Sequence, residues 1–267
     1  MKDGMEIEKL NPAVHVAIGE KLHSNSTIFI NGSDVFLVEA MAAREDAEKL
    51  REYVETELNK RVRFILCTNY FSDHMAALKL FPRAQIITHK DYSHTFAIEA
   101  FRSAEESDFF VEPHILVSDE LVIKWDDVTL NIFHNPSQTM TNLNIDVPEC
   151  DLIIASDAVV GNIVYLRYSS MDVLNRALKR LQRAGRKHLL TGHMGVRNAG
   201  AIDNALCYLE RLREIVIAAR QSSDPIESIQ KTELQTCLPA GVKATDFEQA
   251  FHRRNLETIV ARRLELH

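Results

Sequence analysis

The sequence predicts an α/β chain of two mixed halves, with sheets inside and helices outside. Three observations predict it. Strand-like and helix-like segments alternate along most of the 267 residues. The order reads β-β-β-α-β-α-β-α, then a β-rich middle, then α-β-α. Nearly half the residues are apolar, which supplies a sizeable core, and no repeat or low-complexity tract interrupts them.

Each element follows from local pattern. Val14 to Ile18, Thr27 to Ile30 and Val35 to Val38 are short, β-branched and apolar, and Asn31-Gly32-Ser33-Asp34 separates the last two as a hairpin turn. Glu45 to Asn59 places Ala47, Leu50, Val54 and Leu58 on one helical face. Val62 to Cys67 is almost wholly apolar, which predicts a strand buried on both faces. A short helix over His74 to Leu80, a strand Gln85 to Thr88 and a helix Tyr92 to Ala104 follow. In the middle, His114 to Val117, Leu121 to Trp125, Val128 to Phe133, Leu143 to Val147 and Leu152 to Ala155 read as strands between polar breaks. Met171 to Ala184 is an amphipathic helix, His188 to Leu190 a short strand, and Ala201 to Ala219 a long helix. From Ser222 the character changes to two helices, about Asp224 to Gln235 and Asp246 to Leu264, divided at Leu238-Pro239-Ala240-Gly241. That tail is too small for a core of its own. The organisation expected is a main domain over 1–221 with a helical extension, 222–267, packed on it.

Charge and cysteine usage narrow the function classes. A net charge of −7 argues against a nucleic-acid surface. The basic run Arg176, Lys179, Arg180, Arg183, Arg186 and Lys187 reads as a solvated helix face. No apolar leader opens the sequence and no run reaches the ~18 apolar residues of a membrane span, so a soluble, cytoplasmic protein is expected. Cys67, Cys150, Cys207 and Cys237 are too scattered for a Cys-x-x-Cys motif and read as thiols, Cys67 and Cys207 in core positions.

The candidate chemistry lies at strand ends. Asp73 and His74 follow the Val62 to Cys67 strand, Asp157 follows Leu152 to Ala155, and His193 follows His188 to Leu190. Ligand sites in α/β sheets gather at such ends. Each residue alone reads as a turn or capping residue; side by side, two Asp and two His can bind a divalent cation. His89, His94, His134 and His188 show no ligand spacing.

Four segments carry a family resemblance. Thr68-Asn69-Tyr70-Phe71-Ser72-Asp73-His74 resembles the T-H-x-H-x-D-H loop of metallo-β-lactamase-fold hydrolases. Pro136-Ser137-Gln138-Thr139 resembles that family's P-G-H-T segment, Ala155-Ser156-Asp157 its G-D strand end, and Thr191-Gly192-His193-Met194-Gly195 its P-G-H-G turn. They occur in order from about Val14 to Ala219. The resemblance implies a four-layer αββα sandwich. It also implies that Asp73, His74, Asp157 and His193 are the ligands of the second of two metal sites, with Asp73 and Asp157 beside the reacting atoms. The first site's three histidines are replaced by Asn69, Phe71 and Gln138, and the Asp usual after the opening hairpin by Glu39. Phe cannot ligate a metal, and Asn or Gln offer only weak neutral donors.

The expectation is therefore a hydrolase-like enzyme with one divalent ion per chain, zinc first, with iron or manganese as alternatives. Asn69, Phe71 and Gln138 would line the pocket for a small-molecule substrate. A mononuclear non-haem iron redox enzyme is a variant of the same site. A second reading is a catalytically silent member that binds a small molecule or protein partner in the same cleft. Against it, two facing carboxylates without a cation repel. A third reading gives Phe247, Phe251, Leu256, Ile259 and Leu264 an assembly role as a homodimer stripe, where packing on the main domain is the plainer explanation. His252, Arg253 and Arg254 could then point toward the cleft.

Overall fold

The computed structural model describes residues 4–99 and 102–264. In the first half, β1 (Glu6–Asn11), β2 (Val14–Ile18), β3 (Asn25–Asn31), β4 (Asp34–Val38), β5 (Arg61–Leu66), β6 (Gln85–His89) and β7 (Ile115–Val117) form one sheet in chain order. β1 to β4 pair antiparallel, β1–β2 and β3–β4 through tight turns and β2–β3 through residues 19–24, which hold a 3-10 turn, Lys21–His23. β4 to β7 pair parallel. Parallel pairing needs crossover segments, and α1 (Arg44–Glu52), α2 (Tyr92–Ile98) and α3 (Ala104–Asp108) lie within them.

The second half holds β8 (Glu120–Trp125), β9 (Val128–His134), β10 (Leu143–Val147), β11 (Leu152–Ser156), β12 (His188–Thr191) and β13 (Val196–Asn198), in the order β13-β12-β11-β10-β9-β8. Only β11 and β12 pair parallel, across the crossover α4 (Met171–Arg183). α5 (Gly200–Ala219), α6 (Pro225–Gln230), α7 (Leu234–Cys237) and α8 (Asp246–Ala261) complete the chain.

Alternation along the strands builds the layers. On β4, Phe36 and Val38 face the second sheet while Leu37 faces α1 and its Leu50. Between the sheets, Phe29, Phe36 and Leu66 meet Leu130, Ile145 and Ile154. Trp125 crosses this layer, 5.8 Å from Phe36 and 5.9 Å from Phe64, and its indole N–H donates to the Phe29 carbonyl at 3.0 Å. A third core lies outside the second sheet. There Leu174, Leu178 and Leu181 of α4 meet Leu209 and Leu212 of α5, with Ile229, Leu234, Leu256 and Ile259 from the C-terminal segment. The architecture is the expected αββα sandwich.

Some elements differ from the sequence reading. β1 was hidden because Glu6-Ile7-Glu8-Lys9 is mostly polar, and it lies at a sheet edge. β13 is only three residues long. β5 is buried on both faces only at Ile65 and Leu66, since Arg61 and Arg63 reach solvent. The helix expected over His74 to Leu80 is two 3-10 turns, Ser72–His74 and Leu78–Leu80. The first helix passes after Glu52 into a π turn, Tyr53–Glu57. The helix expected over Tyr92 to Ala104 ends at Ile98; Ala100 and Phe101 of that span lie outside the described residues. Glu99 is extended because its carboxylate is taken by the Ser72 amide (3.0 Å) and hydroxyl (2.6 Å). The first tail helix breaks into α6 and α7, and no described helix is long and apolar enough to cross a membrane.

Candidate metal centre

The carboxyl ends of β4, β5, β11 and β12 meet at one rim of the sandwich. Glu39 follows β4, and Asp73 and His74 sit on the 3-10 turn after β5. Asp157 follows β11 and His193 follows β12. The four residues expected as ligands converge. His74 Nε2 is 2.8 Å from Asp157 Oδ2 and 3.6 Å from Asp73 Oδ1. His193 Nε2 is 3.5 Å from Asp157 Oδ1 and 3.7 Å from Asp73 Oδ2. His74, Asp157 and His193 are buried, and Asp73 is partly exposed.

The imidazoles are held from behind. His193 donates its Nδ1–H to the Leu22 carbonyl at 3.0 Å, which directs Nε2 at the two carboxylates. His74 Nδ1 lies 3.1 Å from Glu39 Oε2. Glu39 is itself fixed by the Thr68 amide at 3.4 Å, the Ser156 hydroxyl at 3.0 Å and the Thr68 hydroxyl. Such outer partners set ring orientation and ligand basicity in metal sites. The Glu found where the resemblance implies Asp thus braces the His74 ring from behind.

Electrostatics couple the cluster. Burial acts against the charge on His74, but Glu39, Asp157 and Asp73 outweigh it and hold the imidazole well above its ordinary pKa. Burial likewise opposes charge on Asp157, yet His74 and His193 hold that carboxyl below the usual range. Asp73 is pushed up by burial, against the pull of His74, with the Asp157 charge adding to the rise.

Backbone strain concentrates here. Leu22, Glu39, Met41, Ser156 and Met194 all have positive φ, between 46° and 71°. Each costs about 1–3 kcal/mol and persists only where the surroundings enforce it. Gly192 is required for a different reason: a Cβ there would stand 2.2 Å from Asp157 Oδ1.

Among the described residues, no three His, Cys, Asp or Glu side chains stand in formed metal-ligand geometry. His74 Nε2 and Asp157 Oδ2 instead meet directly, at 2.8 Å. The donor set nevertheless fits a cation. Donors around one tetrahedral ion stand about 3.4 Å apart, and three of the four His–Asp separations lie at 3.5–3.7 Å. Asp157 Oδ1 is buried without a hydrogen-bond partner. A buried carboxylate oxygen without a partner is costly unless something positive reaches it.

A cleft of about 420 Å³ opens above Asp73, Asp157 and His193. Phe71 and Gln138 line it, and Gln138 Oε1 has no partner. Asn69 lies fully buried behind it, donating to Asp157 Oδ2 at 2.9 Å and accepting from the Phe71 amide at 3.0 Å. Asn69 thus braces a carboxylate from a position the resemblance gives to a histidine. His89 packs on His134 at 4.2 Å, and neither lines the cleft. Arg254 does line it, whereas His252 is buried against the Tyr208 hydroxyl and the Thr232 carbonyl. Sequence reasoning missed Tyr165, Arg167 and Tyr168, which line the cleft from the loop after β11, and the packing of Phe247 on His193 at 5.5 Å.

No family model matches the sequence, and no curated protein does. Solved structures do match. A metallo-β-lactamase from Pontibacter korlensis is 15% identical, covering 77% of this chain and 99% of its own, with a TM-score of 0.65. One from Erythrobacter litoralis is 14% identical, covering 79% and 98%, with a TM-score of 0.62. The metallo-β-lactamase DIM-1 is 13% identical, covering 75% and 94%, also at 0.62. The chain has the metallo-β-lactamase fold.

Proposed function

We propose that the protein is a hydrolase-like enzyme acting on a small molecule, with one divalent ion held by Asp73, His74, Asp157 and His193. The observation that carries this reading is the buried Asp157 Oδ1, which makes no hydrogen bond, among two back-braced imidazoles and a second carboxylate. Zinc suits this donor set, and iron or manganese suit it as well. Such an ion, when bound, polarises a substrate oxygen and eases deprotonation of water. Asp73, the most open of the four, faces the cleft, where it can take a proton from water or substrate. Gln138 offers an amide to a substrate oxygen, and Phe71 keeps the floor apolar. Of the extension expected over 222–267, residues 222–264 extend the main body and contribute α8 to the cleft wall, and 265–267 lie outside the described residues.

One observation favours the silent alternative. His74 and Asn69 both bond to Asp157 Oδ2, which closes part of the cluster without an ion. A hydrolysis panel separates the two. Zinc-, manganese- and iron-reconstituted protein is offered an ester, a thioester, a lactone and a phosphodiester. Turnover of at least one class is expected, lost on chelation and in Asp157→Ala/His193→Ala. Turnover indifferent to both treatments, or a chain that takes up no ion, would sink the proposal. Oxygen-dependent turnover confined to the iron form would replace hydrolysis by redox chemistry.

A further inference from the structure

An aromatic belt runs along the cleft. Phe71 packs on Tyr168 at 5.1 Å, Tyr168 on Tyr165 at 6.5 Å, and Tyr165 on Phe251 at 5.0 Å. Phe251 then meets Phe247 at 4.9 Å, and Phe247 meets His193. Two exposed cleft residues, Arg167 and Arg254, lie over this belt, 5.6 Å from the Tyr168 ring and 5.2 Å from the Phe251 ring. Among the described residues, neither has a carboxylate at ion-pair distance.

The acids of the cleft are mostly engaged elsewhere. Glu99 holds Ser72 and lies 3.5 Å from Arg102. Glu106 holds Lys21 and caps its own helix at Ser103. Asp73 and Asp157 face the imidazoles. Glu257, three residues beyond Arg254, is the remaining acid, so two guanidiniums face one free carboxylate at the rim. Arginine presents a planar fork suited to oxyanions, and stacking on a ring limits the freedom it loses on binding.

We propose that the cleft takes an organic anion, a carboxylate or phosphate monoester on a flat apolar body. Arg167 and Arg254 hold the oxyanion, and the body lies along Tyr168, Tyr165 and Phe251. The proposal rests on the reading above only in taking this cleft as the substrate site. α8 thereby becomes a specificity element rather than a covering helix.

Calorimetry on the full chain tests it with three probes: phenylacetate, phenyl phosphate and the neutral phenylacetamide. Titrations are run on chelated and metal-reconstituted protein. The anions should bind at least about tenfold more tightly than the amide, and Arg167→Gln or Arg254→Gln should each remove about tenfold of that. Amide binding, metal content and Tm should stay unchanged in both variants, since both side chains are exposed. The tighter anion identifies the carboxylate or the phosphate as the preferred group. Anions that bind no better than the amide, or equally well in both variants, overturn the proposal. Binding that disappears on chelation and ignores the arginine variants also overturns it, while supporting the metal site. Arginine-dependent binding that persists in chelated protein and in Asp157→Ala/His193→Ala upholds the proposal even where the metal reading fails.

Discussion

Replacing Glu39 by Gln should weaken metal binding while leaving the fold in place. Two donors, the Thr68 amide and His74 Nδ1, face Glu39 Oε2, and two hydroxyls, of Thr68 and Ser156, face Oε1. Gln can keep its carbonyl oxygen toward the first pair. Its NH2 then faces the hydroxyls, which can rotate to accept. What is lost is the charge behind His74. Bonds to charged groups contribute about 1.5–3 kcal/mol and neutral ones about 1 kcal/mol, so the variant should be destabilised by roughly 1–2 kcal/mol. Metal affinity should fall about 10–100-fold, the usual cost of losing an outer partner. Glu39→Ala removes every acceptor at once and opens a cavity, and should cost about 3–5 kcal/mol. Urea unfolding of chelated protein measures the stability change, and competition against a chromophoric chelator measures affinity. A Glu39→Gln variant with wild-type affinity would show that Glu39 does not prepare His74 for a metal.

Three further outcomes are expected. Gly192→Ala should cost about 1–3 kcal/mol for the clash with Asp157, less about 0.4–1 kcal/mol returned by the unfolded chain. Metal uptake should drop more sharply than Tm, and a variant with full uptake would contradict the close approach at Gly192. Asn255→Ala should cost about 2–4 kcal/mol, because Asn255 binds the Leu166 amide, the Val164 carbonyl and the Tyr208 hydroxyl; denaturant unfolding reads it, and a neutral result would show that α8 is not clamped there. Metal-free protein should lose stability as pH rises from about 6.5 into the alkaline range. Burial opposes the His74 charge but Glu39, Asp157 and Asp73 hold its pKa up, so that stabilisation is complete below the unfolded value and is lost as pH rises through the folded one. Reconstituted protein should lack this slope, and a flat profile without metal would refute the assignment.

The site residues were legible because they stand where strands end. Asp73, His74, Asp157 and His193 each follow an apolar run within several positions, and convergence needed the pairing of β11 with β12 and the stacking of the first sheet, which carries β5, on the second. Glu39 was visible as a departure, but its hold on His74 was not, since that contact depends on the positive φ at residue 39. Asn69 and Phe71 were expected at the pocket as a pair; the turn places Phe71 in it and Asn69 behind it. The cleft wall was illegible for another reason. Tyr165 and Phe251 meet across 86 residues of chain, and nothing local encodes such a contact. Local pattern also failed where a tertiary partner outbid propensity, as when Ser72 draws Glu99 out of the helix.

Elemental analysis tests the central claim most directly. The chain is purified without tag or chelator and its zinc, iron and manganese are counted beside Asp157→Ala/His193→Ala. The account predicts about one ion per chain in the wild type and none in the variant. No ion in either, even after reconstitution, would contradict it and leave a binding protein on the metallo-β-lactamase fold.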